Sequence, residues 1–281
     1  MIVFSHANSF PASTYKVLFR SLRGRGFSVK AVDQFGHDPR FPVSNNWPHL
    51  VQQLCEFTQT EAADQPVWLV GHSLGGYLSL MAAMRLPHLA RGLVLLDSPV
   101  LGGWKSSAVG LAKHTGLVGS FSPGAVSKRR RNSWANVEEA FAHFRHKKAF
   151  AQWDEQVLRD YVTYGTFGTD GQRVLVFDRD VETAIYNGLP HNLERQLKRQ
   201  PLQCPACYIG GTESEEMRQV GMALTTQVVK GNITMMAGSH LFPMEHPIET
   251  AAAIADAIRT MESAASAAHD KKLFVSQRLN R

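Results

Sequence analysis

The chain has 281 residues, 44% hydrophobic and 19% charged; this is the balance of one large globular domain or two small ones, and it excludes disordered and fibrous classes. No apolar run reaches the ~18–20 residues of a membrane helix. The opening "MIVFSHANSF" has neither the basic region nor the apolar length of a signal peptide, so the sequence reads as cytoplasmic, with no membrane partner. The net charge of +6 comes from separate segments: "SKRRR" (Ser127 to Arg131), "RHKK" (Arg145 to Lys148) and the tail "DKKLFVSQRLNR". No nucleic-acid module accompanies them, so they read as solvated faces, with no nucleic-acid partner.

In chain order, short apolar runs alternate with helical patterns. Ile2–Ser5 reads as a strand, followed by the loop "SHANSF" and a helix in "STYKVLFRSLRGRGF", with Ser13 as N-cap and Gly24 or Gly26 as stop. Phe27–Val32 is the second strand. In "NWPHLVQQLCEF", Leu50, Val51, Leu54 and Phe57 recur at helical spacing. Val67–Val70 is the third strand; behind it "GGYLSLMAAMRL" spaces Tyr77, Leu80, Met81 and Met84 as a helix does. Leu93–Leu96 is the fourth.

The alternation breaks between Ser98 and about Gln203, in a Gly/Ser-rich opening followed by helical patterns. Val137, Ala140, Phe141 and Phe144 share one face, with Asn136 and Glu139 placed like a capping box. Val157, Leu158, Tyr161 and Val162 do the same behind Asp154. Strands resume at Ala206–Ile209 and Ile233–Met236, and "IETAAAIADAI" forms a C-terminal helix. The pattern predicts an α/β fold: a mostly parallel sheet of about six strands flanked by helices, with a helical lid inserted between two strands. The core is expected over 1–98 and 204–262, the cap over 99–203, and a tail over 263–281. That tail either extends the last helix or frays, and the chain is open to homo-oligomer formation.

Cys55, Cys204 and Cys207 make no disulfide framework. Cys204 and Cys207 have C-x-x-C spacing, but they lead into an apolar strand rather than a helix N-terminus, and no second ligand pair completes a zinc site. They read as packing residues, and no metal or cofactor is implied.

The chemistry centres on Gly71-His72-Ser73-Leu74-Gly75, a G-x-S-x-G between a strand and a helix. Small flanking residues let the chain turn sharply enough to expose a serine as nucleophile. A serine hydroxyl needs a base. Of the twelve histidines, His240 follows the last strand in "MMAGSHLFPMEHP", where a loop can swing back over the sheet. His72 reads as packing, and His143 with His146 as a solvated helix face. The acid that orients the base is expected to be Glu213, the first acid after its strand, with Glu215 and Glu216 as close competitors and Asp97, ending "GLVLLD", as the alternative at the preceding strand end. The backbone N–H groups of Leu74 and Asn8 are expected to form the oxyanion hole.

The order Ser73, Glu213, His240, the elbow "GHSLGG" and the loop "SHANSF" resemble the α/β-hydrolase fold superfamily. "DQFGHDPRF" is similar to its D-x-x-G-H-G loop, and Ala7 replaces the Gly of its His-Gly motif. The family has two strands before the one that matches Ile2–Ser5, so the resemblance implies strand order 2-1-3-4-5-6, with a first edge to be covered by a helix or partner chain. It further implies a Ser–His–acid hydrolase with a helical cap; the lid aromatics set the expectation of a small to medium, partly apolar ester as substrate. A serine nucleophile argues against haloalkane dehalogenases and epoxide hydrolases. Carbon–carbon bond hydrolases and cofactor-free haloperoxidases stay open as alternatives, as does a non-catalytic binding protein. Phe10, Trp134, Phe141 and Tyr161 are expected to line the substrate pocket, among lid aromatics that include Trp104. Arg129, Arg130 and Arg131 read as a basic turn from which one guanidinium can reach inward.

Overall fold

The computed structural model describes residues 1–103, 105, 108, 128, 130–169 and 171–279; Trp104 and Arg129 lie outside the described residues. Six strands, β1 (Ile2–Ser5), β2 (Val29–Ala31), β3 (Val67–His72), β4 (Ala90–Leu96), β8 (Ala206–Gly211) and β9 (Ile233–Met236), form a parallel sheet in the order β2-β1-β3-β4-β8-β9. Their side chains alternate between faces, and helices cover both, which is why the strands read as unbroken apolar runs. Val3, Leu69, Leu93 and Leu95 bury against α2 (Pro48–Ala62) and α3 (Leu74–Arg85). Ile2, Phe4, Val70, Val94 and Leu96 bury on the other face, with Leu18 and Leu22 of α1 (Lys16–Gly24) and Ile254 and Ile258 of α11 (Pro247–Leu279).

Local details depart from the sequence reading. Ser13 is not a helix cap but part of a 3-10 turn, Ala12–Tyr15, that leads into α1. The second strand keeps only three residues. It is a sheet edge, and its exposed Lys30 pairs with Glu61 at 2.9 Å; a short, charged edge resists pairing with another chain.

The segment between β4 and β8 carries α4 (Val137–Arg145), α5 (Glu155–Tyr164), α6 (Arg179–Asn187) and α7 (Leu193–Arg199). Asn136 caps α4 through the Glu139 N–H (2.9 Å), and Asp154 caps α5 through the Val157 N–H (3.1 Å). The insert is not purely helical. β5 (Ser133–Trp134), β6 (Thr166–Thr169) and β7 (Gln172–Leu175) form an antiparallel sheet in the order β5-β7-β6. The sequence pattern pointed only to helices here, because β6 and β7 are each four residues long and sit among helical patterns. The insert is tied to the core by Trp47 Nε1–H to the Ile185 carbonyl (3.0 Å) and by Asp154 N–H to the Met244 carbonyl (3.0 Å). After β8 come α8 (Glu215–Val220) and α9 (Ala223–Val228), then β9, α10 (Phe242–Glu245) and the 33-residue α11. Among the described residues, no helix is long and apolar enough to cross a membrane.

Candidate active site

Ser73 sits between β3 and α3 with φ +54° and ψ −116°, a backbone that an L-residue adopts only under constraint. The constraint is steric and hydrogen-bonded. A Cβ on Gly71 would lie 2.1 Å from the Gly75 carbonyl oxygen, and one on Gly75 would lie 2.0 Å from that of Ser5, so both positions require glycine. The Ser73 N–H donates to the Leu96 carbonyl (3.0 Å), and the Ser98 hydroxyl donates to the Ser73 carbonyl (2.8 Å).

His240 Nε2 stands 3.0 Å from Ser73 Oγ, and its Nδ1 stands 2.7 Å from Asp97 Oδ2. A carboxylate only accepts, so Nδ1 carries the proton and Nε2 is the free acceptor facing the serine. Asp97 is fully buried. Its Oδ1 accepts the Gly211 N–H (2.9 Å) and its Oδ2 the Ser214 hydroxyl (2.5 Å). Burial opposes its ionisation, but the bonds from His240, Ser214 and Gly211 prevail and hold the carboxyl below its ordinary range. Burial likewise opposes charge on His240. The bond to Asp97, with the carboxylates of Glu216, Asp97 and Glu245, outweighs it and raises the imidazole above its ordinary value. Glu216 Oε2 is the second carboxylate near the ring, 3.8 Å from Nδ1.

Glu213, the acid favoured from the sequence, does not meet His240. It is exposed on the turn after β8, and its side chain makes no bond to the ring, while its neighbour Ser214 points inward onto Asp97. The physical reason is the path of the His240 loop. To reach Ser73 on β3 from the end of β9 it must cross β8 and β4, and the end of β4 is where Asp97 stands. The close crossing is visible at Gly211, where a Cβ would lie 2.4 Å from the Ser239 carbonyl oxygen.

The N–H groups of Asn8 and Leu74 find no acceptor among the described residues, whereas the groups around them are engaged. The Ala7 carbonyl accepts the Phe10 N–H (3.2 Å) and contacts His6 Nδ1 (2.8 Å); the Phe35 N–H donates to His6 Nε2 (3.0 Å), so Nδ1 is the protonated nitrogen. The packing of Gly75 on Ser5 and His6 brings the start of α3 against this loop. The model of the alpha/beta hydrolase family matches residues 2–253. The chain belongs to that family.

Several known proteins resemble this hydrolase in sequence or in structure. Mouse monoglyceride lipase is 31% identical over 114 residues, 38% of this chain and 38% of that protein, so the chain matches well under half of that relative's length. A serine hydrolase-like protein of Dictyostelium discoideum is 23% identical over 256 residues, 84% of this chain and 68% of its own length. The crystal structure of E-2-(acetamidomethylene)succinate hydrolase superposes with a TM-score of 0.71 at 21% identity, covering 92% of this chain and 91% of that one.

Several residues of the hydrolase's site were missed in the sequence. The Ala7 N–H donates to Tyr15 OH (3.0 Å), which therefore turns its own proton to His72 Nδ1 (2.8 Å); His72 Nε2–H then donates to the His240 carbonyl (2.8 Å). His72 thus does more than fill space: it links the loop after β1 to the loop that carries His240. Burial first, then the nearby His240, pushes it down to about 3, so it stays neutral. Glu245 accepts the Ser239 N–H at 2.9 Å and the Ser239 hydroxyl. The H-x-x-P-x-E-x-P pattern formed by His240, Pro243, Glu245 and Pro247 was the available signal for that brace.

The aromatic residues divide. Trp134 and Phe141 are buried inside the insert, Trp134 on Phe144 and His143, and Phe141 beneath Arg145 and Arg159. At 2% and 7% exposure, each closes the core of the insert rather than facing open space as expected. Tyr161 is also buried, packed with Phe144, Phe150 and Trp153, and meets the half-buried Phe10 edge-on at 5.7 Å. Arg131 stays outside and pairs with Glu139 (2.6 Å), while Arg130 turns in to Glu182 (2.7 Å). Cys55 and Cys207 are buried, and burial pushes their thiols up to about 11 and 12, as inert packing groups. Among the described residues, one cluster has metal-ligand spacing, Asp97, Glu216 and His240. Its imidazole Nδ1 already gives its proton to Asp97, which leaves that nitrogen no lone pair for an ion.

Proposed function

We propose that this chain is a serine hydrolase of carboxylic esters, in which Ser73 is the nucleophile, His240 the general base and Asp97 the acid that orients it. The observation that supports this reading best is the continuous line from Ser73 Oγ to His240 Nε2 (3.0 Å) and from Nδ1 to Asp97 (2.7 Å). In the first step His240 Nε2 takes the Ser73 proton as Oγ bonds to the ester carbonyl carbon. The carbonyl π pair moves onto its oxygen, which the N–H groups of Asn8 and Leu74 receive. Each such donor is worth about 2.7–4 kcal/mol to the transition state. The C–O bond to the alcohol then breaks, and the imidazolium returns its proton to the departing oxygen, leaving an acyl-serine. Water, deprotonated by His240, repeats the sequence and releases the acid. Asp97 stabilises the imidazolium throughout without taking its proton.

The substrate is proposed as a small to medium, partly apolar ester. The short similarity to monoglyceride lipase supports ester chemistry. The packing of Trp134 and Phe141 into the insert leaves less aromatic surface for a long acyl chain, and of the four rings expected in the pocket Phe10 is the one left partly open. Residues 99–203 are proposed to act as the cap over this site.

Steady-state hydrolysis of p-nitrophenyl esters from acetate to long acyl chains, wild type against Ser73→Ala, tests the reading. Turnover that depends on Ser73 and peaks at short or medium acyl chains is expected. Wild type that is labelled at Ser73 by a phosphonate yet hydrolyses no ester would sink ester specificity and turn the search to carbon–carbon bond substrates. Absence of labelling would sink the nucleophile itself.

A further inference from the structure

The Ala7–Asn8 peptide, whose N–H the proposed oxyanion hole uses, is held from its carbonyl side by Phe10 N–H and His6. What holds residues 8 and 9 themselves comes from another part of the chain, more than 170 residues away. The Asn8 side-chain amide donates to the Glu182 carbonyl (3.1 Å), and the Ser9 hydroxyl donates to Glu182 Oε1 (2.5 Å). Ser9 has φ +76°, a left-handed conformation that a serine keeps only when its surroundings dictate it.

Glu182 lies on α6 of the insert, and its side chain is only 5% exposed. Its second oxygen, Oε2, stands 2.7 Å from Arg130 Nη2, and the Arg130 carbonyl in turn accepts from Arg179 Nη1 (2.9 Å). A buried carboxylate is costly, and a buried ion pair is weak evidence for stability; its best-attested use is to impose one geometry. Here the geometry imposed is that of the two residues that follow the Ala7 carbonyl.

We propose that Glu182 is a positioning residue for the oxyanion hole: anchored by Arg130 within the insert, it holds Asn8 and Ser9 so that the Asn8 N–H stays aimed at the reacting carbonyl. The insert then does more than cover the site, because it supplies one wall of the transition-state geometry. Arg130 has a second effect. It sets a positive charge beside the carboxylate that holds Ser9, 2.7 Å from Oε2. The inference rests on the serine-esterase reading for its kinetic consequences, but the positioning itself has a separate readout.

The test compares wild type, Glu182→Ala, Glu182→Gln and Ser9→Ala in p-nitrophenyl ester kinetics and in affinity for an alkyl trifluoromethyl ketone. That ketone adds to Ser73 and places an oxyanion in the hole; the matching alkyl methyl carbinol, which cannot react, serves as ground-state control. Glu182→Ala is expected to lower kcat about 10- to 100-fold, less than the loss of a donor outright, with KM changed less than about threefold. Ketone affinity should fall by a similar factor and carbinol affinity should not. Glu182→Gln keeps an acceptor for Ser9 and should recover most of the loss. Ser9→Ala leaves the Arg130–Glu182 pair intact; it should lower kcat severalfold at unchanged thermal midpoint, and it decides the matter if Glu182→Ala does not fold. Wild-type kcat and ketone affinity in Ser9→Ala and Glu182→Ala would overturn the proposal, as would equal losses for ketone and carbinol. If wild type hydrolyses no ester, the esterase reading fails, and the ketone comparison still decides the positioning role. If wild type binds no ketone either, both fall.

Discussion

Asp97 is the residue on which the proposed chemistry turns. Its carboxylate holds the proton on His240 Nδ1, and with it the tautomer that leaves Nε2 free for Ser73. An amide in its place can present an N–H to Nδ1 and reverse the tautomer, so Asp97→Asn is expected to lower kcat by about 10⁴, the scale of that change in a serine protease. Glu213→Ala, in contrast, removes an exposed side chain and should leave kcat unchanged. Ester kinetics on the two variants decide it: equal losses would mean that Glu213 reaches the ring in solution.

In the proposed mechanism the same ring sets the pH profile. His240 acts as base only when neutral, and the Asp97 bond, with Glu216 and Glu245 around it, raises its pKa above the ordinary 6.5. The acid limb of kcat/KM is therefore expected above pH 6.5. Glu216→Gln removes one of those charges from 3.8 Å and should move that limb to lower pH. An unshifted limb in this variant would show that Glu216 does not act on the ring.

At the scale of elements, the site depends on how closely α3 can approach β1. Gly75 in the first turn of α3 lies on the Ser5 carbonyl, with 2.0 Å to any added Cβ. Neither partner is a flexible side chain, so the strain cannot relax locally. Gly75→Ala is expected to cost at least about 3 kcal/mol, which in a chain of this size is a fall of roughly 6–12 °C in the thermal midpoint. A midpoint within about 2 °C of wild type would mean that the helix can shift without disturbing the elbow. The elbow was legible because its requirements are local: an apolar strand, a small-x-Ser-x-small turn and a helical spacing all fall within twenty residues. The β5–β7–β6 hairpin of the insert was less legible, since its strands are short and sit among strong helical patterns.

At the scale of the whole molecule, buried neutral imidazoles link stability to pH. Burial first, against the opposing bond to Ala7, pushes His6 down to about 4; burial and the proximity of His240 push His72 down to about 3. Unfolded, both would take up protons near 6.5. Their contribution is thus complete above pH 6.5 and is lost as pH falls, that of His6 down to about 4 and that of His72 down to about 3. For His6 alone the loss is on the order of 3 kcal/mol. Asp97, depressed, adds in the same direction at lower pH, while His240, raised, contributes stability that is lost as pH rises through its folded value. Two buried imidazoles outweigh one, so the urea midpoint should fall between pH 7 and pH 4.5. A constant midpoint over that span would show that one of these rings is protonated in the fold.

The residues alone determined the six strands of the parallel sheet, the alternation of helices between them, the insertion and the serine turn, and they singled out His240 as the candidate base, because each leaves a mark within a short window. The strand order came from the likeness of those motifs to a known family. Which acid faces His240 was decided only by the tertiary structure. Asp97 and Glu213 both follow strands at the same end of the sheet, and only the crossing of the His240 loop over β8 and β4 separates the one beneath it from the one in solvent. The same holds for Tyr15, His72 and Glu182. Each joins segments that sequence spacing keeps far apart, and hydrogen bonds of that kind exist only once the sheet and the insert have brought the loops together.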